Sequence, residues 1–167
     1  MGKSTLALLI LGSLFLAIGV WLLSSAWSSN SWPIVEGQIE STKVVARFSQ
    51  VSSTTQRKLD YSIEVRYAYE VDGVIHHGQR YSLGTGHTVE GGFSKKSDAR
   101  EWLKQSNFRI NQPINVYVDP NDVKNTVLYA GILWSTWVPI YISLLFIGMG
   151  FFNHRYMQSK AYQSTLQ

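Results

Sequence analysis

The chain has 167 residues, of which 45% are hydrophobic, with 15 basic residues, 11 acidic residues and no cysteine. The absence of cysteine excludes disulfide bonds and thiol chemistry. Three basic residues lie near the chain ends (Lys3, Arg155 and Lys160), so the central segment is nearly balanced, with 12 basic and 11 acidic residues. This balance argues against nucleic-acid binding, which requires a basic surface.

The first apolar stretch, Leu6–Leu23, is long enough to cross a bilayer as a helix. Lys3 and the small residues Ser24–Ala26 also fit a cleavable secretory signal peptide. The apolar run, however, is longer than the usual core of such a peptide. We therefore predict an uncleaved membrane-spanning helix at residues 6–27, preceded by a tail of residues 1–5.

A second uncharged stretch centres on Val138–Phe152. Pro139 lies where the first turn of a helix tolerates proline. We predict a second span at residues 131–152, followed by a tail of residues 153–167. Residues 28–130 lie between the two spans and have the length of a small domain.

Basic residues close to span ends set the membrane orientation, whereas a loop longer than about 60 residues crosses largely regardless of its charge. The short tails contain Lys3, Arg155 and Lys160 and no acidic residue. These charges predict cytoplasmic N and C termini, a multi-pass chain in the cytoplasmic (inner) membrane, and an extracytoplasmic central domain. The lipid bilayer is therefore one expected partner.

Tryptophans flank both predicted spans. Trp27 and Trp32 follow the first span, and Trp134 and Trp137 precede the core of the second. Because amphipathic rings favour the headgroup layer, we predict that these four side chains are membrane-interface anchors. Trp32 also begins a strand pattern, so packing inside the domain is an equally good interpretation of this residue.

Strict alternation of apolar and polar residues marks residues 59–72 as a half-buried strand. The dipeptide after it favours the positive φ angles of a tight hairpin turn, and residues 74–83 are predicted to return as the partner strand. The predicted core strand and hairpin contain Tyr67, Tyr69, Val71, Asp72 and Gly73.

The remaining segments are less regular. Residues 34–48 predict a further strand with a β-bulge at Gly37, and residues 49–58 a polar loop. Residues 84–92 predict an irregular glycine-containing loop.

Residues 97–104 predict a short helix, with Ser97 as its N-cap and an apolar face that covers the sheet. Residues 114–118 predict a last strand, which ends in the turn cluster Asp119–Asp122. The predicted fold class is therefore α+β, with two transmembrane helices flanking a small β-rich domain that has one short helix.

Several residues form a pattern across the central segment: Trp32, Gly37, Ile39, Tyr67–Val71, Asp72, Gly73, Gly78, Val116–Pro120 and Leu128. In their order and spacing they resemble the prokaryotic membrane family catalogued as domain of unknown function 3592. The chain departs from the family pattern at His76, where an aromatic residue is commoner, and at Val123, where a proline is common. The resemblance implies a domain placed beside membrane spans and no assigned activity, cofactor or catalytic set.

The sequence gives little support for a chemical site. His76, His77, His87 and Glu90 include side chains that suit zinc, but adjacent residues of a strand point to opposite faces. The glycines of residues 84–86 lack the lysine and the helix that phosphate loops require. We predict no catalytic, cofactor-binding or metal-binding residues, and we expect the chain not to be an enzyme.

Transport is disfavoured because neither apolar stretch contains an ionisable residue. Small residues, among them Gly12, Gly19, Gly148 and Gly150, allow close helix contact, either between the two spans or in a homo-oligomer.

The leading hypothesis is an interaction module that binds another envelope or membrane protein, by strand addition at a sheet edge. The alternatives are an accessory subunit that acts through its spans and an immunity-type protective membrane protein.

Overall fold

The computed structural model of the protein describes residues 3–50 and 57–164. The described elements are three α-helices and six strands. They are α1 (Lys3–Ser28), β1 (Ile34–Gln50), β2 (Arg57–Val71), β3 (Val74–Gly78), β4 (Thr88–Phe93), α2 (Lys96–Gln105), β5 (Pro113–Asp119), β6 (Asp122–Val127) and α3 (Val138–Ser164). The chain divides into two compact units, one containing the long helices and the other spanning Ala26–Ile132.

The helical unit contains two helices that are long and apolar enough to cross a membrane. Helix α1 extends slightly beyond the predicted span at both ends. Helix α3 begins at Val138, after a 3-10 turn at Trp134–Trp137, and it continues to Ser164. The helix therefore starts later than the span predicted at residues 131–152, and it includes most of the segment predicted as a tail.

Helices α1 and α3 pack against each other through glycines. A Cβ atom added at Gly12 would come within 2.7 Å of Ile147, and one added at Gly19 would come within 2.6 Å of Ile140. The rings of Phe15 and Phe146 stack with their centroids 5.9 Å apart. Gly12 and Gly19 thus allow close contact between the two helices of one chain, which is one of the two alternatives considered for the small residues.

Polar side chains also join the two helices. The Asn153 side-chain amide donates hydrogen bonds to the hydroxyl oxygens of Ser4, at 3.1 Å, and of Thr5, at 3.0 Å. Thr5 is fully buried, so its hydroxyl has a protein partner in place of water. This contact links the first turn of α1 to the middle of α3.

The second unit is built on a six-stranded antiparallel sheet with the order β3-β2-β1-β5-β6, and β4 pairs with the other half of the β2 edge that β3 occupies. The predicted strand of residues 59–72 is confirmed as β2. Its predicted hairpin with β3 is also present, because Asp72 has φ 52° and Gly73 has φ 78° at the turn. Val71 pairs with Val74 beside this turn.

The core lies on one face of the sheet. Its buried members come from the central strands and from the segment after β6, and they are Ile39, Val65, Tyr67, Tyr69, Val116, Val118 and Leu128. Helix α2 packs on this side through its buried Ala99. Contacting rings extend the packing from β4 and α2 to the segments beyond, through Phe93, Trp102, Phe108, Tyr81 and Tyr129.

Several local predictions were wrong. Strand β3 stops at Gly78 and does not continue to residue 83, and the segment predicted as an irregular loop contains β4. The turn at Asp119–Asp122 leads into a further strand, β6, and does not end the sheet. The paired glycines of β4 and the irregular burial along β6 hid both strands from a period-two pattern.

Three finer predictions also need correction. The irregularity in β1 lies between Ile39 and Ser41 and not at Gly37. Ser97 does not cap α2, because the helix already includes it and its hydroxyl bonds to Asp98. The polar loop predicted at residues 49–58 is shorter, since β1 reaches Gln50 and β2 begins at Arg57. Residues 51–56 of that loop lie outside the described residues.

The sheet curls, so that segments following its two outer strands meet. The amides of Leu128 and Tyr129, after β6, donate to the carbonyl oxygen of Tyr81, after β3, at 3.0 and 2.7 Å. The Tyr67 hydroxyl contacts the hydroxyl of Thr126 and the carbonyl oxygen of Arg80, each at 3.0 Å. These contacts close most of the sheet around its core.

A further contact joins the two ends of this unit. The buried Ser29 hydroxyl accepts a 2.9 Å hydrogen bond from the amide of Gly131. Gly131 has φ 99°, and a Cβ atom there would come within 2.8 Å of the Asn30 side chain. Glycine is therefore needed where the chain leaves the unit.

Candidate interaction surface

Strand β1 changes its neighbours halfway along its length. Residues Ile34–Gln38 pair with β5 on one side, and from Gly37 onward β1 also pairs with β2 on the other. Ile39 still bonds to the segment before β5, through the carbonyl oxygen of Gln112 and the amide of Asn111. After the register shift between Ile39 and Ser41, β1 continues beside β2.

The outer edge of β1 beyond this shift has no strand partner within residues 3–50 and 57–164. We call residues 41–48 the free edge. Eight residues of extended strand cover about 26 Å. Alternate backbone N–H and C=O groups of such an edge are directed away from the sheet and can pair with an added strand.

Beyond the shift, Ser41–Phe48 of β1 pair with Leu59–Arg66 of β2, and we call this part of the sheet the β1–β2 ribbon. One face of the ribbon is apolar. On this face Val44 pairs with Ile63, Ala46 with Tyr61, and Phe48 with Leu59. Burial falls steeply along it, because Ile63 is fully buried whereas Phe48 is 72% exposed. The apolar face of the ribbon thus continues from the core, which contains Val65, outward to the exposed ring of Phe48.

The opposite face of the ribbon is polar and charged. Lys43 pairs with Glu64, and Arg47 pairs with Asp60. The guanidinium of Arg47 also forms a 2.6 Å ion pair with Glu64, between side chains that are 55% and 30% exposed. An ion pair at such exposure contributes little stability.

Other strand edges are shorter or protected. Strands β3, β4 and β6 have five or six residues each. The segments after β3 and β6 bond to each other, and the Tyr69 hydroxyl donates to the carbonyl oxygen of Val123 in β6 at 2.8 Å. The free edge of β1 is the longest unpaired stretch of strand among the described residues.

The predicted core strand and hairpin residues lie away from this edge, in the closed part of the sheet. Tyr67 and Tyr69 are buried, whereas Asp72 and Gly73 form the exposed β2–β3 turn. Burial raises the pKa of the Tyr67 hydroxyl to about 12, and its hydrogen bond to Thr126 only partly offsets this effect. The burial of Tyr67 and Tyr69 is typical of a structural core.

The predicted interface tryptophans divide into two groups. Trp27 is 71% exposed and Trp134 is 77% exposed, while Trp137 is partly exposed. Trp134 also contacts the ring of Tyr141. Trp32 is only 7% exposed, so its ring is packed, which is the alternative considered for it above.

Each histidine considered as a metal ligand has another partner. His76 stacks on the ring of Tyr69, with the centroids 5.7 Å apart. His77 Nδ1 lies 3.0 Å from the carboxylate of Glu40, and His87 Nδ1 lies 2.9 Å from the carbonyl oxygen of Gln79. The described part of the chain contains no group of three or more ligand-type side chains that could hold a metal ion.

Sequence reasoning did not locate the free edge. The pattern of residues 34–48 identified a strand but gave no information on its neighbours, because strand pairing is non-local. One signal was present: the predicted strand of residues 34–48 is about three times as long as that of residues 114–118. A short strand cannot cover the whole edge of a long one.

Comparison with known proteins supports the resemblance noted from the sequence. No curated protein matches the chain. The family model described as "Domain of unknown function (DUF3592)" matches residues 35–133, which is more than half of the chain and includes β1 to β6. The chain therefore belongs to the family of domain of unknown function 3592.

Proposed function

We propose that this protein is a membrane-anchored interaction module whose sheet domain binds another envelope or membrane protein at the free edge of β1. The observation that carries this proposal is the unpaired edge at residues 41–48. Soluble proteins usually cover, shorten or distort strand edges, because open edges recruit other strands. An edge of this length, beside an exposed apolar face, suits strand addition by a partner.

The exposed aromatic ring at the end of the edge supports the same proposal. Phe48 and Ala46 are exposed on the apolar face of the ribbon. An added strand would extend this face by one row of side chains and would cover part of the Phe48 ring. Backbone hydrogen bonds would then give affinity, and side-chain contacts would give selectivity.

The proposal includes an orientation in the membrane. Both tails lie in the cytoplasm, the helices span the cytoplasmic membrane, and the sheet domain is extracytoplasmic, as the basic tails predict. Because the chain has no cysteine, Lys104→Cys in α2 and Ser159→Cys in α3 each give a single label site. An impermeant maleimide should label intact cells only at position 104. Labelling at position 159 alone would overturn the orientation.

In-cell photo-crosslinking tests the interaction. A photo-crosslinking amino acid at position 46 should form an adduct with one envelope or membrane protein, identified by mass spectrometry. The same residue at position 75 is the matched control, because Ile75 is 65% exposed on another strand of the sheet. Phe48→Glu should abolish the adduct at position 46, whereas Ile75→Glu should leave it unchanged.

Replacement of the sheet domain provides the opposing test. If residues 34–127, which contain all six strands, are exchanged for a neutral folded domain and the same protein still copurifies, the sheet domain is not the binding element. That result would overturn the proposal. Loss of copurification, together with the position 46 adduct, would support it.

The second candidate function is an accessory subunit that binds a larger membrane complex through its helices. It is favoured by a groove of about 440 Å³ on the helical unit, lined by Leu8, Gly148, Met149, Phe152, Asn153 and Tyr156. A Cβ atom at Gly148 would meet no atom within 4 Å, so this glycine is not needed for α1–α3 packing. Gly148→Leu would fill the groove and should release such a complex, whereas Phe48→Glu should not.

A further inference from the structure

We infer that the segment bound at the free edge carries two acidic residues four positions apart on one face, and apolar residues on the other. This inference rests on the proposed function, because it describes the strand that β1 would accept. It is argued from the side chains that β1 presents and from the neighbour that β1 already has.

The charges of the free edge have one sign. Between Ser41 and Phe48 the charged residues are Lys43 and Arg47, and both are exposed. They lie on the polar face of the ribbon, with Val45 between them. Opposite charges directly across two strands are favourable, and like charges are unfavourable. A segment that pairs along the free edge is therefore favoured if acidic residues face positions 43 and 47.

The existing neighbour of β1 shows this pairing. Strand β2 places Glu64 opposite Lys43 and Asp60 opposite Arg47, with Ser62 opposite Val45. The carboxylate of Glu64 is bonded to Arg47, and Lys43 has no ion pair among the described residues. A second acidic strand on the outer side of β1 could therefore pair with Lys43 without competing for an existing contact.

The apolar face of the ribbon determines which residues of the partner strand should alternate with its two acids. Thr42, Val44, Ala46 and Phe48 are the β1 side chains on that face. In β2 the residues between the two acids on this face are Tyr61 and Ile63. The β2 segment Asp-Tyr-Ser-Ile-Glu, residues 60–64, is thus an example within the chain of the pattern inferred for the partner.

A second copy of this chain is a poor occupant for the same edge. Two β1 strands paired antiparallel about Val45 would place Lys43 of one copy opposite Arg47 of the other, and the reverse. Like charges across a pair are destabilising. Basic side chains on an open edge are also a common protection against self-association. The charges therefore favour a different protein, with acidic residues in its strand.

Disulfide exchange with defined peptides tests the inference on the full chain. The peptide Cys-Asp-Tyr-Ser-Ile-Glu-Val is supplied as its mixed disulfide with glutathione and is mixed with Phe48→Cys. The thiolate of the variant attacks the peptide sulfur and releases reduced glutathione, so the exchange needs no further oxidant. The peptide cysteine would face position 48, and its acids would face Arg47 and Lys43. A second peptide has lysine in place of both acids. A third keeps the acidic sequence with N-methylated backbone amides, so it retains the charge and loses N–H donors.

We expect the acidic peptide to form the mixed disulfide about tenfold more favourably than the lysine peptide, since both cross-strand pairs change from attractive to repulsive. N-methylation should remove most of this advantage. In Lys43→Gln/Arg47→Gln the preference for acid should disappear, with circular dichroism confirming that the sheet is retained. Lys104→Cys, on the exposed face of α2, is the control for attraction to the surface in general.

The outcomes separate the inference from the proposed function. Equal yields for the acidic and lysine peptides, with a lower yield for the N-methylated peptide, would overturn the charge rule and leave strand addition standing. Equal yields for all three peptides would overturn both. An equal preference for acid at position 104 would mean that the preference does not belong to the free edge, and it would overturn the inference.

Discussion

The two halves of β1 have the same neighbour, β2, but opposite environments. The first half, Ile34–Ile39, bonds to β5 and the segment before it, pairs with β2 from Gly37 onward, and contributes to a core that contacts between the segments after β3 and β6 help to close. The second half, Ser41–Phe48, pairs on one side only and ends in an exposed ring. One strand thus combines a structural half, which burial stabilises, with a half suited to binding.

The largest expected difference is between an aromatic ring beside the first half of β1 and one at the end of the second half. Tyr67, which pairs with Ile39 from β2, is fully buried, whereas Phe48 is 72% exposed, and both lie on the same face of the sheet. Tyr67→Ala should lower the free energy of unfolding by about 3–5 kcal/mol, because it leaves a cavity. Phe48→Ala should lower it by less than about 1 kcal/mol. Chemical denaturation of the full chain in detergent, followed by circular dichroism, measures both. Equal losses would contradict the contrast between the halves.

Alkaline pH should lower the free energy of unfolding, because the Tyr67 hydroxyl is buried in the core. The pKa of Tyr67 is about 12 in the folded chain, whereas its ordinary value, which applies to the unfolded chain, is 10.0. The folded state therefore keeps its proton while the unfolded state loses it. The contribution of Tyr67 to the free energy of unfolding is fully present below pH 10. It falls by about 2–3 kcal/mol as the pH rises from 10 to 12, and then it levels off.

Tyr67→Phe supplies the control for this pH dependence. The substitution removes the titrating hydroxyl, so the decline above pH 10 should be smaller. At neutral pH it should cost about 1–2 kcal/mol, since the hydroxyl of Thr126 loses a buried partner. An unchanged slope between pH 10 and 12 would mean that another group causes the loss of stability.

Substitutions at two glycines, one packed against the core and one not, should differ less in their effect on the free energy of unfolding. A Cβ atom at Gly78 would overlap the Tyr67 ring, which lies against this glycine across the β2–β3 pair. At Gly91 in β4 the nearest atom would be 3.5 Å away, an ordinary contact distance. Gly78→Ala should cost about 1–3 kcal/mol, and Gly91→Ala should be close to neutral. Thermal unfolding of the two variants in parallel measures the difference.

The smallest change in the free energy of unfolding is expected for a substitution in the ribbon. Arg47→Ala removes the ion pair with Glu64, between side chains that are 55% and 30% exposed. Its cost should be about 0.2–1 kcal/mol, and it should decrease in high salt. A larger loss, insensitive to salt, would show that the ribbon contributes to the core and is not a separate binding element.

The parts of the fold that could be predicted from the sequence are those with a local signal. The alternation at Leu59–Val71 and the Asp72-Gly73 turn gave β2 and its hairpin, and the uncharged stretches gave the two long helices. Strand β6 was missed because a turn at Pro120 can equally end a sheet or join two of its strands. The free edge was missed because it depends on which strands lie beside β1.

The hydrogen bond between Ser29 and Gly131 has a consequence for how this domain can be reused. It places the two ends of the sheet unit beside each other, so the whole unit is an insertion between neighbouring points of the chain. Domains with adjacent ends can be moved into a loop of another protein at low entropic cost. The domain is therefore portable, and different membrane anchors could carry it without any change in its own packing.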